Sequence, residues 1–309
     1  MIETRYLTKV YKDLVAVDKL NLVIEKGDIY GFIGPNGAGK TTTMKILATL
    51  LRPTSGQAYV CGFSVNGQAK HIRKKIGYVP DFFGVYEDMT VQEYLEFFAA
   101  LYGIKGEERG RVIRDVLELT DLSYKQKAQV ESLSRGMQQR LGLARVLLHD
   151  PEVLLLDEPA SGLDPRARVE IRELLKELRA MGKTILISSH ILSELAELCN
   201  KVAIIERGQL LFSGPIDDIL KRVRRAGVVQ VKVREGTDRL RALLVDHPSV
   251  EKVSEIEGGM LEIELKPEVT DYSFVADFAV EKGFKILVIR EEAINLEDAF
   301  MKITKGQVA

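Results

Sequence analysis

The chain has 309 residues, which fits about two domains, and its hydrophobic content of 46% is enough to build a core in each. A net charge of −1 excludes the strongly basic surface that nucleic-acid-binding domains carry. No apolar stretch approaches the ~18 residues of a membrane-spanning helix, and the N-terminus shows no apolar signal core. The two cysteines, Cys61 and Cys199, lie far apart without metal-ligand spacing, which predicts reduced thiols in a cytosolic protein.

Two strands of an N-terminal β-layer are predicted first, at residues 2–8 and 20–25. Tyr11 lies between them. An exposed aromatic residue ahead of a phosphate-binding loop can stack on a nucleotide base. The alternative is a tyrosine that packs at the edge of a sheet, and position alone leaves both open.

A phosphate-binding loop follows the next predicted strand, Ile29 to Ile33. The run Gly34-Pro35-Asn36-Gly37-Ala38-Gly39-Lys40-Thr41 matches G-x-x-x-x-G-K-[ST], and an amphipathic helix that includes Thr42 comes next. Glycines permit a tight turn and a close approach of backbone N–H groups to phosphate, at a helix N-terminus that favours anions. Lys40 is expected to reach the β- and γ-phosphates, and the Thr41 hydroxyl to bind Mg²⁺.

A helical insert is predicted within the α/β pattern, at residues 85–145. Strands at 56–61 and 76–79 precede it. Within the insert, Thr90 and Glu93 have the spacing of a capping box, and apolar residues at helical spacing follow.

Three aromatic residues, Phe82, Phe83 and Tyr86, lie at the start of the insert and are predicted to be exposed. They are expected either to form a docking surface for a partner or to belong to the core of the insert, and the sequence favours neither alternative.

A helix N-terminus that can bind an anion is predicted at Leu133 to Met137. Ser134 is a good N-cap residue, and Gly136 follows it in the first turn. Backbone N–H groups at such an end favour an anion. Because many helices begin in a similar way, this pattern alone is a weak indication of a site.

Two adjacent carboxylates follow an apolar predicted strand, Val153 to Leu156. Adjacent side chains on a strand point in opposite directions, so Asp157 can face a metal ion while Glu158 faces another point, such as an attacking water. The alternative is a strand followed by a polar turn at Pro159. The phosphate-binding loop upstream favours the metal site.

Another polar side chain, His190, follows a buried strand predicted at 184–189. A helix comes before that strand, with Asp164 as its N-cap, Pro165 in its first position and Gly182 at its end. The carboxyl end of a strand is where ligands bind in open α/β sheets. An isolated histidine is more often structural, but this position favours a functional one.

The pattern changes after a hairpin at 202–206 and 209–213 and a basic stretch, Lys221 to Gly227. The next elements follow the order strand, helix, strand, strand, helix, strand, which is that of a ferredoxin-like module. They are predicted at 229–233, 237–246, 250–256, 260–265, 271–282 and 284–289, with a last helix at 296–304. No catalytic constellation is found there, so a binding or regulatory module is expected.

Together these motifs resemble those of the ATP-binding subunit of an ABC transporter, over residues 1–220. The matches are Gly34 to Thr41 with the Walker A motif, Leu133 to Met137 with the signature, Val153 to Asp157 with the Walker B motif that Glu158 follows, Ser161 to Asp164 with the D-loop, His190 with the switch histidine, and Tyr11 with the aromatic residue that stacks on adenine. Asn295 to Phe300 is similar to the end of C-terminal extensions in the ABC-2 type, the single-domain subunits of drug and polysaccharide exporters.

The resemblance implies an α/β fold: a P-loop NTPase domain of the ABC type at 1–222, with a β-layer, a mixed α/β core and the helical insert. A small α+β ferredoxin-like accessory domain is implied at 223–309. ATP and Mg²⁺ are the implied ligands. The implied catalytic residues are Glu158, His190 and Lys40, and the implied metal ligands are Thr41, Asp81 and Asp157. The residues implied to bind the nucleotide are Tyr11, Gly34, Pro35, Asn36, Gly37, Ala38, Gly39, Lys40, Thr41, Thr42, Asp81, Ser134, Arg135, Gly136, Met137 and Asp164.

Two positions depart from the family pattern. Asp81 stands where the family has the Q-loop glutamine, and its shorter, charged side chain can still reach Mg²⁺ or its water. Met137 replaces the usual last glutamine of the signature. Ser134 and Gly136, the groups expected to meet the γ-phosphate, are kept, so activity is expected.

The resemblance also implies how the protein works. Two nucleotide domains pair head to tail, each ATP lies between the Walker A of one and the signature of the other, and hydrolysis removes that bridge. Intact motifs favour a homodimer over a heterodimer with a sister chain. The chain is expected at the inner face of the cell membrane, bound to a separate permease through the helical insert and the Asp81 region. Export follows from the subfamily, and the cargo is not specified by this chain.

Two other functions fit parts of the sequence. A soluble ABC ATPase that acts on ribosomes or DNA usually carries two nucleotide domains or long coiled-coil inserts, and neither is found. A regulator would bind a small effector on the ferredoxin-like domain and use ATP as a switch. Co-purification with a multi-span membrane protein, co-sedimentation with ribosomes or DNA, and effector-dependent ATPase activity separate the three.

Overall fold

A computed structural model of the chain describes residues 1–81, 84, 88–191, 195–219, 228–256, 258–266, 269 and 271–291. These residues form two units, one from Met1 to Ile216 and one from Asp217 onward. Several predicted features lie outside the described residues: Phe82, Phe83, Tyr86, the basic stretch at 221–227, the helix at 296–304 and the segment Asn295 to Phe300.

The first unit combines a small antiparallel sheet, a larger mixed sheet and six named helices among its described residues. In chain order its elements are β1 (Ile2–Tyr11), β2 (Leu14–Ile24), β3 (Ile29–Ile33), α1 (Lys40–Leu47), β4 (Ser55–Val60), β5 (Phe63–Ser64), α2 (Ala69–Arg73), β6 (Ile76–Val79), α3 (Val91–Leu101), α4 (Gly106–Leu119), α5 (Arg135–Leu147), β7 (Val153–Asp157), α6 (Pro165–Ala180), β8 (Thr184–Ser189), β9 (Lys201–Glu206) and β10 (Gln209–Pro215). Two 3-10 turns, Ser123–Lys125 and Val130–Ser132, lie between α4 and α5.

The N-terminal β-layer is an antiparallel sheet with the order β2-β1-β4-β5. The strands predicted at 2–8 and 20–25 are too short, because β1 and β2 form one hairpin in which Tyr11 pairs with Leu14. Valine side chains such as Val15 suit a pleated strand and extend β2 toward the turn. Tyr11 is therefore the last residue of β1 and lies in no long connecting loop.

The mixed sheet positions the polar residues of the first unit. Its order is β10-β9-β3-β8-β7-β6, and only β10 runs antiparallel to its neighbour. Every residue of β3, β7 and β8 is buried, as expected for parallel strands covered on both faces. Because these strands are parallel, the residues that follow them, Gly34, Glu158 and His190, emerge at the same carboxyl edge.

The predicted helix starts are confirmed at α3 and α6. Thr90 Oγ1 accepts from the Glu93 N–H at 3.3 Å, and the Glu93 carboxylate accepts from the Thr90 N–H at 2.8 Å, which completes the capping box. Asp164 Oδ1 accepts from the Ala167 N–H at 2.9 Å, with Pro165 in the first position of α6. Local sequence therefore defines where both helices begin.

The second unit has the strand and helix order that the sequence predicts. Its four strands form an antiparallel sheet, and the buried residues of the sheet and of both helices share one apolar core. The second helix is shorter than the predicted 271–282, and the last strand lies two residues later than the predicted 284–289, after Gly283 with a φ of 83°. The elements are β11 (Val228–Val233), α7 (Thr237–Val245), β12 (Val250–Ile256), β13 (Met260–Leu265), α8 (Ser273–Glu281) and β14 (Ile286–Glu291), with the sheet order β12-β13-β11-β14.

Candidate nucleotide-binding site

The loop between β3 and α1 is closely packed by backbone on both sides. A Cβ atom on Gly34 would lie 2.3 Å from the Ile205 carbonyl oxygen, and one on Gly39 would lie 2.3 Å from the Ala16 carbonyl oxygen. Gly39 also has a φ of 103°, a backbone conformation that L side chains rarely adopt. Glycine is therefore required at both positions, which leaves the N–H groups of the loop and of the first turn of α1 able to approach an anion.

The amine of Lys40, the first residue of α1, lies at the centre of the site. The residue is 6% exposed, and its Nζ donates to the Gly34 carbonyl oxygen at 2.6 Å and to that of Pro35 at 3.3 Å. The same Nζ lies 3.3 Å from Glu158 Oε1. A cation held in the phosphate loop thus also contacts the carboxylate that follows β7.

The two carboxylates after β7 differ in their surroundings. Asp157 is 1% exposed and accepts a hydrogen bond from Ser188 Oγ at 2.7 Å, whereas Glu158 lies at the surface of the site with a side chain 13% exposed. Glu158 has a φ of 51°, in a region that costs a non-glycine residue about 1–3 kcal/mol. The adjacent residues therefore contact different partners, but strand alternation is not the cause, because the chain leaves the strand conformation at Glu158.

His190 contacts Glu158 from the neighbouring strand. Its Nδ1 lies 2.8 Å from Glu158 Oε2, and its side chain is 44% exposed. Lys40, Glu158 and His190 therefore form a continuous chain of contacts across the carboxyl edge of the sheet.

One concave surface brings together most of the residues that the sequence predicts to bind a nucleotide in the first 81 residues. It is lined by Tyr11, by the loop and helix start from Pro35 to Thr42, by Asp81 and by Glu158. Tyr11 is 42% exposed, and Lys9 Nζ lies 5.1 Å from the centre of its ring. An exposed ring at the rim of a phosphate loop is what base stacking requires, whereas a tyrosine packed at a sheet edge would be covered.

Electrostatics at the rim favour a cation. Burial raises the pKa of the Asp81 carboxyl, and the charges of Asp157 and Glu158 raise it further, while Arg135 and His190 act in the opposite direction. Burial and the charges of Asp157 and Asp81 likewise raise the pKa of Tyr78. A carboxyl group whose ionisation is disfavoured by neighbouring carboxylates, as that of Asp81 is, ionises more readily when a cation lies beside it.

The helix start predicted at Ser134 lies outside this concave surface. Ser134 caps α5 by accepting from the Met137 N–H at 3.3 Å, and a Cβ on Gly136 would lie 2.9 Å from Ala167 Cβ. A Cβ on Gly162 would lie 2.3 Å from Arg135 Nη1, so the Arg135 guanidinium packs directly on that glycine. The α5 start and the loop before α6 are thus one packed structure.

Asp164, a predicted site residue, accepts a hydrogen bond from the Ala167 N–H and acts as the N-cap of α6. Ser188 contacts both Asp157 and Glu158 and is not among the residues that the sequence predicts for the site. A hydroxyl side chain at the end of an apolar strand next to the predicted metal strand was the available signal. The packing contact between Arg135 and Gly162 could not be predicted from the local sequence around either residue.

The donor set of the site suits a nucleotide with Mg²⁺. Glycine-rich backbone and Lys40 match phosphate, and the Thr41 hydroxyl and the Asp81 carboxylate on the concave surface are hard oxygen donors of the kind that Mg²⁺ prefers. The carboxylate of Asp157 is a donor of the same kind, but it is buried behind that surface and does not line it. Among the described residues, no group of three or more histidine, cysteine or acidic side chains is arranged to hold a metal ion by itself.

Known proteins resemble the chain along nearly its whole length. Residues 17–161 match the family model described as ABC transporter. The bacitracin transport ATP-binding protein BcrA of Bacillus licheniformis is 38% identical over 307 residues, an alignment that covers 99% of this chain and 98% of that protein. The Nod factor export ATP-binding protein I of Burkholderia lata is 37% identical, with 98% of this chain and 96% of that protein covered.

Solved structures resemble a large part of the chain. One, described as the ATP-binding subunit of an ABC transporter, has a TM-score of 0.65 at 29% identity and covers 72% of this chain and 93% of its own. Another is an ATP-binding cassette solved as a dimer in a post-hydrolysis state with ADP and Pi, with a TM-score of 0.64, 28% identity and a coverage of 70% of this chain and 99% of that one.

Proposed function

Because the chain belongs to the ABC transporter ATP-binding proteins, we propose that it hydrolyses ATP with Mg²⁺ at this site and thereby powers a separate membrane-spanning permease. The observation that carries the proposal is the contact chain from Lys40 through Glu158 to His190, beside the glycine-lined loop. It combines a phosphate-binding cation, a carboxylate for the water and a third group that orients this carboxylate, which are the parts that phosphoryl transfer to water needs.

The phosphates of ATP are the proposed ligand of the loop from Gly34 to Thr41, with Thr42 in the same helix turn. Lys40 neutralises charge on the β- and γ-phosphates, and Tyr11 stacks on the adenine. Asp157, Thr41 and Asp81 hold Mg²⁺, which when bound offsets the charge that develops on the transferring phosphoryl group. ADP and Pi in a related cassette dimer support a nucleotide at this place.

Glu158 is proposed to accept the proton of the attacking water or to orient that water. Its Oε2 contacts His190 and its Oε1 contacts Lys40, so the carboxylate is held from both sides. Positioned general bases contribute typically about 10²–10⁴-fold to a rate. His190 keeps the Glu158 carboxylate oriented and senses the γ-phosphate from the neighbouring strand.

Two copies of the chain are proposed to enclose the nucleotides. Four residues at the start of α5 do not line the concave surface of their own chain: Ser134, Arg135, Gly136 and Met137. The phosphate that they are proposed to bind is therefore that of a nucleotide held by a second subunit. The dimer of a related cassette supports this arrangement. A homodimer is the simpler assembly, since this chain carries all the motifs on itself.

The partner is proposed to be a permease, and the direction of transport export. Related proteins are named for bacitracin transport and Nod factor export. None of the helices that the structure describes combines the length and apolarity needed to cross a bilayer. The chain is accordingly proposed to lie at the inner face of the cell membrane, held there by the permease, with residues 1–222 as the ATPase domain and 223–309 as an accessory domain.

The proposal is tested by measuring ATP hydrolysis at increasing protein concentrations with wild-type protein and with Ser134→Ala. Turnover per subunit should rise with concentration as dimers form, and the Ser134→Ala variant should lose most of it while still binding ATP. A turnover that is independent of concentration and of Ser134 would refute the shared site. Co-purification with a multi-span membrane protein, against co-sedimentation with ribosomes or DNA, tests the partner.

A further inference from the structure

A single hydroxyl group on β8 contacts both carboxylate residues of the site. Ser188 is fully buried, at 0% exposed, and lies directly opposite Asp157 in the parallel pairing of β7 and β8. Its Oγ donates to Asp157 Oδ1 at 2.7 Å and accepts from the backbone N–H of Glu158 at 2.9 Å. The one proton of the hydroxyl and one of its lone pairs are therefore used on two consecutive residues.

The second of these hydrogen bonds holds an unusual backbone conformation. Glu158 has a φ of 51°, and the regular pairing of β7 with β8 ends one residue earlier, at Asp157 and Ser188. The Glu158 N–H therefore finds its acceptor in the Ser188 side chain, while its carbonyl oxygen accepts from the Ser161 N–H at 3.0 Å. Both polar groups of the Glu158 backbone are thus fixed, which directs its carboxylate toward Lys40 and His190.

The first hydrogen bond orients the Asp157 carboxylate. Because Oδ1 accepts the Ser188 proton, this hydrogen bond restrains the rotation of the carboxylate that is proposed to bind the metal ion. Groups that orient a metal-binding carboxylate in this way typically change metal affinity or activity by about 10–100-fold when they are removed.

We infer that Ser188 is a positioning residue for ATP hydrolysis, which holds the Asp157 carboxylate for Mg²⁺ and the Glu158 carboxylate for the attacking water. It acts through these two residues and not on the nucleotide. The inference rests on the proposed function, since it assigns Ser188 to the same site.

The test removes the hydroxyl and measures metal dependence as well as turnover. In Ser188→Ala, kcat should fall about 10–100-fold while the KM for ATP with saturating Mg²⁺ stays within about threefold of wild type. The free Mg²⁺ concentration at half-maximal binding of a fluorescent, non-hydrolysable ATP analogue should rise about tenfold. Ser188→Thr keeps the hydroxyl and should restore both quantities.

Thr184→Val is the matched control. Thr184 lies at the other end of β8, is also 0% exposed, and its Oγ1 accepts from the Gly27 N–H at 3.0 Å. This variant removes a buried hydroxyl from the same strand and leaves a backbone N–H without its acceptor. It should therefore lower the midpoint temperature of unfolding but leave the Mg²⁺ concentration at half-maximal binding unchanged. If Ser188→Ala does not fold, Ser188→Cys keeps the volume with a weak donor and takes its place.

A kcat and a Mg²⁺ midpoint both within twofold of wild type in the folded Ala or Cys variant would overturn the role of Ser188. An equal change of the Mg²⁺ midpoint in Thr184→Val would overturn it too, because a general loss of packing would then explain both. The proposed function fails separately, if Glu158→Gln retains full turnover.

Discussion

Glu158 Oε2 lies 2.8 Å from His190 Nδ1, and the other oxygen of the same carboxylate lies 3.3 Å from Lys40 Nζ. One carboxylate thus joins the ends of three elements, β7, β8 and the start of α1, that are far apart in sequence. The contact with Lys40 ties Glu158 to the phosphate-binding loop, and the contact with His190 fixes the orientation of the carboxylate. Because of these two contacts, we expect turnover to depend on the charge of Glu158.

Glu158→Gln keeps the size of the side chain and removes its negative charge. We expect ATP to bind as before and turnover to fall about 10²–10⁴-fold, because an amide cannot accept the proton of the attacking water. ATP should then hold two subunits together, which size-exclusion chromatography with ATP and Mg²⁺ detects as a dimer. Glu152→Gln is the control, since Glu152 precedes the same strand and pairs with Lys75 away from the site. Full turnover in Glu158→Gln would remove this residue from catalysis.

Lys40→Ala tests the phosphate-binding cation. The ammonium group is buried and charge-assisted contacts to phosphate are strong, so ATP affinity should weaken at least about tenfold and turnover should be lost. Lys45→Ala removes an exposed lysine from the same helix and should leave both quantities unchanged. Fluorescence titration with ATP measures the affinity, and a similar weakening in Lys45→Ala would mean that net charge, not position, determines binding.

The parts of the site that the sequence predicts are those built from neighbouring residues. The loop from Gly34 to Thr41 is contiguous, and Asp157 and Glu158 are adjacent at the end of an apolar strand. Ser188 is different: its partners lie 30 and 31 residues away, and they meet it only because β7 and β8 pair in one particular register. A strand's own alternation decides which of its faces is buried, but which residue of another strand lies opposite is decided only when the two strands pair.

The same distinction holds for the fold. Helix starts such as Thr90 and Asp164 follow from side-chain capping within one turn, and they are predicted to the residue. The β1–β2 hairpin is longer than predicted because pairing with a neighbouring strand extends both strands up to Tyr11 and Leu14. The contact of the Arg135 guanidinium with Gly162 also joins separate elements, because it forms only when α5 packs beside the loop that precedes α6.

Tyr11→Ala tests base stacking. Loss of one stacked ring typically costs about 1–3 kcal/mol, which predicts an ATP affinity roughly 5- to 150-fold weaker. Tyr11→Phe keeps a ring and should bind ATP nearly as wild type does. Tyr6→Ala, which removes a ring 68% exposed on the same strand, is the control.

Competition by inorganic triphosphate distinguishes stacking from a general disturbance of the loop. Triphosphate has no base, so its affinity should be the same in Tyr11→Ala and in wild type. A parallel loss for triphosphate and ATP would show that Tyr11 supports the phosphate loop instead of the adenine.

Gly162→Ala tests the contact between the loop before α6 and Arg135. Gly162 has a φ of 66°, and its Cβ would meet the Arg135 guanidinium, so the variant strains the backbone and displaces that side chain. Turnover should fall by up to about 100-fold, since a misplacement of ~1 Å at a distance from the reacting atoms can cost that much. Gly182→Ala has a comparable φ of 86° with nothing within 4 Å, and should lower only stability.

The double variant Gly162→Ala/Arg135→Ala completes the test. If the Gly162 effect acts through Arg135, the double variant should be no less active than Arg135→Ala alone, a non-additive result. Additive losses in ATPase assays would mean that the two residues act independently.

His149, just after α5, should make folding stability depend on pH. Burial lowers the pKa of this histidine, and the charge of Lys183 lowers it further. Two effects act in the opposite direction: the hydrogen bond between Nε2 and the Ile76 carbonyl oxygen, 3.0 Å apart, and the charge of Asp150. Nδ1 is buried without a hydrogen-bond partner among the described residues, and the ring stacks on Tyr102 with centres 4.2 Å apart. A second proton would therefore have no acceptor among the residues that the structure describes.

The sign of the pH dependence follows from this lowered pKa. Below the ordinary histidine pKa of about 6.5 the unfolded chain binds the proton more readily than the folded chain, so the free energy of unfolding decreases as the pH falls. His149→Phe keeps the stacked ring and should be less stable near neutral pH by about 1 kcal/mol through the lost hydrogen bond, yet lose less stability between about pH 7.5 and pH 5.5. His71→Phe, an exposed ring stacked on Phe63, is the matched control. Urea unfolding at the two pH values measures the difference. Equal slopes for wild type and His149→Phe would mean that other groups carry the pH dependence, because the variant has only removed the ring nitrogens.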